Sequence, residues 1–226
     1  MDRPTFVLAR AGASLLAFLA VSFICLPAHA TTLDFEDLPL GQQYDLNAGT
    51  PTIPDSFVTN GVPVQLAEFF LLPSGSTTSG SATVLDSVAN PFSTAGGSGN
   101  YMFMGNVNLD FQLPGPASEL SFLFGEFGGN LNLRVNGDLA NVSSFFSLPA
   151  TLGGANVTVD SLGSTISGDL GRVTLTGNIT SMIVGGQEFS IDDVIIVPEP
   201  STCALASIGL VGLFAAVWRN RRLRRG

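Results

Sequence analysis

The chain has no lysine, one histidine, one tryptophan and two cysteines among 226 residues. Each shortage excludes something. Cys25, His29 and Cys203 all lie in the first thirty or the last thirty residues. The stretch between them, residues 31–197, can build neither a Ser-His-Asp nor a Cys-His mechanism, nor a histidine zinc site. It can form no disulfide either, so packing must hold it together. Trp218 is also outside, which removes the largest stacking ring. Cations are nearly as scarce: 16 Asp and Glu face only Arg134 and Arg172, a net charge of −14. The whole-chain value of −9 conceals this, because the other seven arginines sit in the two ends. Such acidity favours solubility and argues against a nucleic-acid partner, which needs cations for its phosphates. Bound divalent cations are compatible with it.

What is present begins with a leader. Arg3 and Arg10 make a basic start, Ala11 to Leu26 is apolar, and Ala28-His29-Ala30 supplies small residues. This order is that of a secretory signal peptide cut between Ala30 and Thr31, which hands the chain to the general secretion machinery. At the far end, Ser201 to Trp218 holds eighteen residues without charge. At about 1.5 Å per residue a helix there is roughly 27 Å long, enough for one transmembrane crossing of a core of about 30 Å. Arg219, Arg221, Arg222, Arg224 and Arg225 follow. Such a cluster stays cytoplasmic and leaves residues 31–197 outside.

Pro198-Glu199-Pro200 precedes this span. Each proline fixes φ and lacks an N–H, so the tripeptide is expected to join no sheet ladder and to remain an extended, reachable segment. The three parts together, Pro-Glu-Pro, one apolar span and a terminal arginine cluster, resemble the PEP-CTERM sorting signal of Gram-negative bacteria. The resemblance covers about thirty residues. It implies processing by exosortase, a membrane-embedded cysteine transpeptidase-like enzyme, in a bacterium that makes exopolysaccharide or biofilm matrix. The implied route is an inner-membrane anchored precursor with its domain in the periplasm, followed by the cell surface or the medium.

Residues 31–197 suffice for one domain with a core. Short β-branched and Phe-containing runs recur between turn residues with no sustained 3.6-residue period. Thr31–Glu36, Val62–Leu71, Tyr101–Leu113, Glu119–Phe127, Leu131–Val135 and Ala140–Ser147 read as strands, as do Asn156–Val159, Arg172–Thr176, Ile179–Val184 and Glu188–Val197. Asn136-Gly137 and Gly185-Gly186 read as hairpin turns, and Ser74–Ser81 and Thr94–Gly99 as loops. The expectation is an all-β fold, an antiparallel β-sandwich of jelly-roll type.

First and last strands of a sandwich commonly pair, which would bring Glu36 and Asp37 towards Asp192 and Asp193. Hard carboxylate oxygens suit Ca²⁺. "LDFEDLPLGQQY" and "EFSIDDVIIV" are similar to the terminal strands of jelly-roll carbohydrate-binding-like domains. That resemblance implies a structural calcium held by Glu36 and Asp192, with Asp193 as substitute. The other reading is carboxylates on solvated strand faces.

Among aromatics, most of Phe69, Phe70, Phe122, Phe124, Phe145 and Phe146 are expected in the core, and Tyr44 and Tyr101 near the surface. The sequence thus points to an exported, non-catalytic surface or matrix protein that contacts exopolysaccharide. A glycosidase using carboxylates such as Glu68, Glu119 or Glu126 is the alternative, since it needs no histidine. A purely structural component without a ligand is a further one.

Overall fold

The computed structural model describes residues 29–46, 56–71, 77–78, 80–91 and 93–199. Residues Ala30–Glu199 form one compact unit. In chain order its strands are β1 (Thr31–Leu33), β2 (Gln43–Leu46), β3 (Ser56–Thr59), β4 (Val62–Ala67) and β5 (Phe69–Phe70). β6 (Thr77–Thr78), β7 (Gly80–Asp86), β8 (Asn100–Gly105), β9 (Val107–Phe111) and β10 (Ala117–Val135) come next. The last are β11 (Asp138–Val142), β12 (Thr151–Leu152), β13 (Ala155–Ser164), β14 (Asp169–Ile179) and β15 (Met182–Pro198).

The long strands β10 and β15 pair antiparallel along almost their whole length, from Ala117 opposite Pro198 to Val135 opposite Met182. Their register shifts around Gly128, where Gly128 and Gly129 take φ of 140° and 78°. Strands that bend at such irregularities pass from one layer of a sandwich to the other. One half of the pair therefore lies in a layer ordered β12-β13-β14-β10-β15-β8-β7-β2, with β1 beside the end of β15. The other half lies in a layer ordered β11-β10-β15-β9-β4-β3. Every pairing among the described residues is antiparallel, and the sheet is an antiparallel β-sandwich as expected.

Strand alternation builds the core. Val62, Val64 and Leu66 of β4 point inward while Pro63 and Gln65 point out. Val173 and Leu175 do the same on β14. A single buried cluster joins both layers. Phe57 of β3 lies 4.6 Å from the ring of Tyr44 on β2 and 6.5 Å from that of Phe35. Phe145 stands edge-on to Phe122, Phe124 and Phe189.

Several expectations need correction. Gly185-Gly186 is no turn: both residues lie inside β15, where a side chain on Gly185 would run into the carbonyl oxygen of Val107. Close strand packing, not chain reversal, selects glycine there. Asn136-Gly137 does turn, with φ of 50° and 91° between paired Val135 and Asp138. Ala140–Ser147 leaves the sheet at a 3-10 turn, Phe145–Ser147. Tyr101 is fully buried, its hydroxyl 2.6 Å from Ser93 Oγ. Of the six phenylalanines, Phe69, Phe122, Phe124 and Phe145 are fully buried, so most lie in the core as expected, while Phe146 is 41% exposed and Phe70 half-buried. The loop assigned to Ser74–Ser81 already holds β6 and the start of β7.

Among the described residues no helix is long and apolar enough to cross a membrane. Ser201–Trp218, the arginines after it and residues 1–28 lie outside the described residues.

Candidate functional site

The first and last strands do pair, with Leu33 opposite Val194. Residues 34–37 thereby come beside Asp192 and Asp193. Phe35 and Asp193 both adopt left-handed backbone, φ 57° and 45°, so the two chains turn sharply at the same corner. Asp192 is 1% exposed, and its Oδ1 accepts a hydrogen bond of 2.7 Å from the N–H of Asp193. Burial is the main cause that pushes its pKa up to about 8, with the charges of Asp193, Asp34 and Glu36 adding to the rise. At neutral pH this carboxyl is largely protonated.

The neighbouring carboxylates are tied into the fold. Glu36 Oε1 accepts from the N–H of Asn100 at 2.8 Å. Asp37 accepts from Thr59 Oγ1 at 2.7 Å and from the N–H of Asn60 at 2.8 Å. Asn60 Nδ2 donates to Asp34 Oδ1 at 2.9 Å and to the Thr32 carbonyl at 2.7 Å. Gly97 and Gly99 lie close over the corner, since a Cβ on either would strike Asp192 or Glu36 respectively. The corner therefore joins the exit of β1 to the β3–β4 turn and to the start of β8.

Glu36, Asp192 and Asp193 thus share one region. Yet among the described residues no group of three or more His, Cys, Asp or Glu is placed to hold a metal ion. Calcium prefers six to eight oxygens. Several oxygens here already accept N–H or O–H donors, so the arrangement falls short of that set.

Two of the carboxylates considered for glycosidic chemistry stand far apart. Glu119 and Glu126 lie seven residues apart on β10, roughly 23 Å at about 3.3 Å per residue. Acid pairs in glycosidases stand within about 10 Å. Glu126 accepts from Ser144 Oγ and from the N–H of Phe145, and so holds the 3-10 turn in place.

A second polar feature escaped the sequence reading. On the outer face of the second layer, Asn141, Asn132, Gly185, Asn108 and Ala67 stand side by side across β11, β10, β15, β9 and β4. Asn108 and Asn132 are 2% and 1% exposed. The segment 68–70 crosses this row. Asn108 Nδ2 donates to the Glu68 carbonyl at 2.6 Å, and Asn132 and Asn141 Nδ2 donate to the Phe70 carbonyl at 3.1 and 2.8 Å. The carbonyl acceptors fix the amide orientation, so each Oδ1 faces away from them, buried and without a partner among the described residues. Arg134, above the Phe70 ring at 5.3 Å, has its Nε buried and equally unpaired. Ala67, Glu68, Phe70, Leu139 and Ile183 complete a recess of about 200 Å³. The signal was present as "NVNLDF" and "NLNLRV", two strands that alternate asparagine with apolar residues.

The sorting segment begins inside the fold. Pro198 is the last residue of β15, opposite Ala117, and the N–H of Glu199 donates to the Pro116 carbonyl at 3.0 Å. Ser118 Oγ donates to the carbonyls of Val197 and Pro198. This corrects the expectation that the tripeptide joins no ladder: a proline lacks a donor but keeps its carbonyl, and that acceptor is used. Pro200 lies outside the described residues.

Residues 197–222 match the PEP-CTERM protein-sorting motif. No curated protein matches the chain. A family 11 carbohydrate-binding module from the cellulosomal cellulase Lic26A-Cel5E of Clostridium thermocellum is similar over 76% of this chain and 95% of that one. Its identity is 9% and its TM-score 0.26, too slight a likeness to bear on fold or ligand.

Proposed function

We propose that this chain is an exported, non-catalytic surface or extracellular matrix protein, held first in the inner membrane with its sandwich in the periplasm. Exosortase then removes or replaces the tail, and the domain reaches the cell surface or medium in contact with exopolysaccharide. The observation behind this reading is the PEP-CTERM motif at 197–222, since such a tail implies an exported, membrane-anchored and processed protein. PEP-CTERM motifs are in general exosortase substrates. The lack of histidine and cysteine in residues 31–197 and the separation of Glu119 from Glu126 along β10 support the non-catalytic part.

Fractionation with mass spectrometry of the full chain, in cells with and without exosortase, tests it. The expected product starts at Thr31 and lacks the tail only when exosortase is present. Replacing Pro198, Glu199 and Pro200 together by alanine should leave the uncut protein in the membrane. A full-length chain in the cytosol, with both ends intact, defeats the proposal.

A further inference from the structure

We infer that the recess on the outer face of the second layer binds a neutral sugar unit of a polysaccharide chain. The inference deepens the proposed contact with exopolysaccharide and rests on that reading. Three features of the recess select the ligand. The acceptors Asn108 Oδ1 and Asn132 Oδ1, on two residues that line it, are buried without donors among the described residues, and leaving such groups unpaired is unfavourable. A ligand must therefore bring O–H or N–H groups. Arg134 Nε, also unpaired, needs an acceptor in the same space. Hydroxyl groups set around one small ring satisfy both demands, because each can donate and accept.

Charge decides between a neutral sugar and an acidic one. Amide oxygens repel a carboxylate, and Glu68 lines the recess. Asp110 stands on the same face, opposite Ile183 in the register. With residues 31–197 at a net −14, a polyanion meets a repulsive field that one arginine does not reverse. Size agrees: about 200 Å³ lies below the roughly 300–1,000 Å³ of sites for larger ligands, which suits one unit rather than several. Ligand hydroxyls would meet oxygens that are already positioned by the Glu68 and Phe70 carbonyls, so little ordering is lost on binding.

Affinity electrophoresis of the full-length protein, in a detergent without a sugar headgroup, tests the site. The gels contain hydroxyethylcellulose, galactomannan or alginate, the last a polyuronate. Retardation is expected in at least one neutral gel, and both Asn132→Leu and Arg134→Gln should weaken it at least tenfold. Arg134 is half-buried, so Arg134→Gln tests the site even if Asn132→Leu fails to fold, while Asp160→Asn, exposed on β13 in the other layer, should bind as the parent does. Retardation in no neutral gel, in alginate alone, or unchanged in Arg134→Gln overturns the inference. An exported and processed protein that runs unretarded defeats the sugar site alone. A cytosolic full-length chain that is retarded defeats the sorting proposal alone.

Discussion

Asp192 is the residue whose chemistry departs furthest from its ordinary value. Its burial beside Asp34, Glu36 and Asp193 makes the protonated form the stable one in the fold. The unfolded chain ionises this group near pH 4. Between that point and about 8 the native state binds the extra proton, so stability falls as pH rises across this window and levels off above it. Asp192→Asn keeps the acceptor for Asp193 and removes the ionisation. It should melt several degrees higher than the parent near pH 8, with the gap closing towards pH 4. Thermal melts at steps of pH check this, and a gap that stays constant with pH would refute the assignment. The same residue shows how far the sequence could be read. Glu36 and Asp192 were legible as neighbours because terminal strands pair. Their hydrogen bonds to Asn100 and Asp193 were not, since these depend on the left-handed turns at Phe35 and Asp193.

At the level of single strands, β15 carries most of the organisation. It pairs with β10, β8, β9 and β1 and has glycine at the crowded position 185. A methyl group there would press on the Val107 carbonyl and on Asn108. Gly185→Ala should therefore lose about 1–3 kcal/mol of stability, by analogy with overpacked cores. Denaturant melts would show it, and an unchanged midpoint would mean that the two strands can part at no cost. Sequence patterning found most strands because alternation and β-branching are local. It divided β10 at Gly128-Gly129 and β15 at Gly185-Gly186, because glycine that serves a bend or a close approach looks the same in sequence as glycine that turns the chain. It missed β2, β3 and β7, whose runs "QYDL", "SFVT" and "GSATVLD" are short or rich in small polar residues. The recess was missed for a related reason: asparagine on the outward positions of a strand reads as solvated until a crossing segment such as 68–70 buries it.

For the molecule as a whole, removal of either end of the chain should have very different effects. Residues Ala30–Glu199 form a compact unit of their own, within which β15 borders four strands. Deleting 200–226 should leave the melting temperature within a few degrees of the parent. Deleting 182–226 should leave no cooperative transition at all, because β10, β8, β9 and β1 lose a shared neighbour. Circular dichroism melts distinguish the two, and a cooperative melt of the shorter chain would contradict the pairing scheme.

A polypeptide secreted amino end first delivers its residues in order. The keystone of this sandwich is then the final piece to arrive, followed at once by the sorting motif. Until it emerges, its neighbours wait with open edges that other chains could invade. On the proposed sorting route, folding and processing are then timed together: the domain can close only when the processing motif has come within reach.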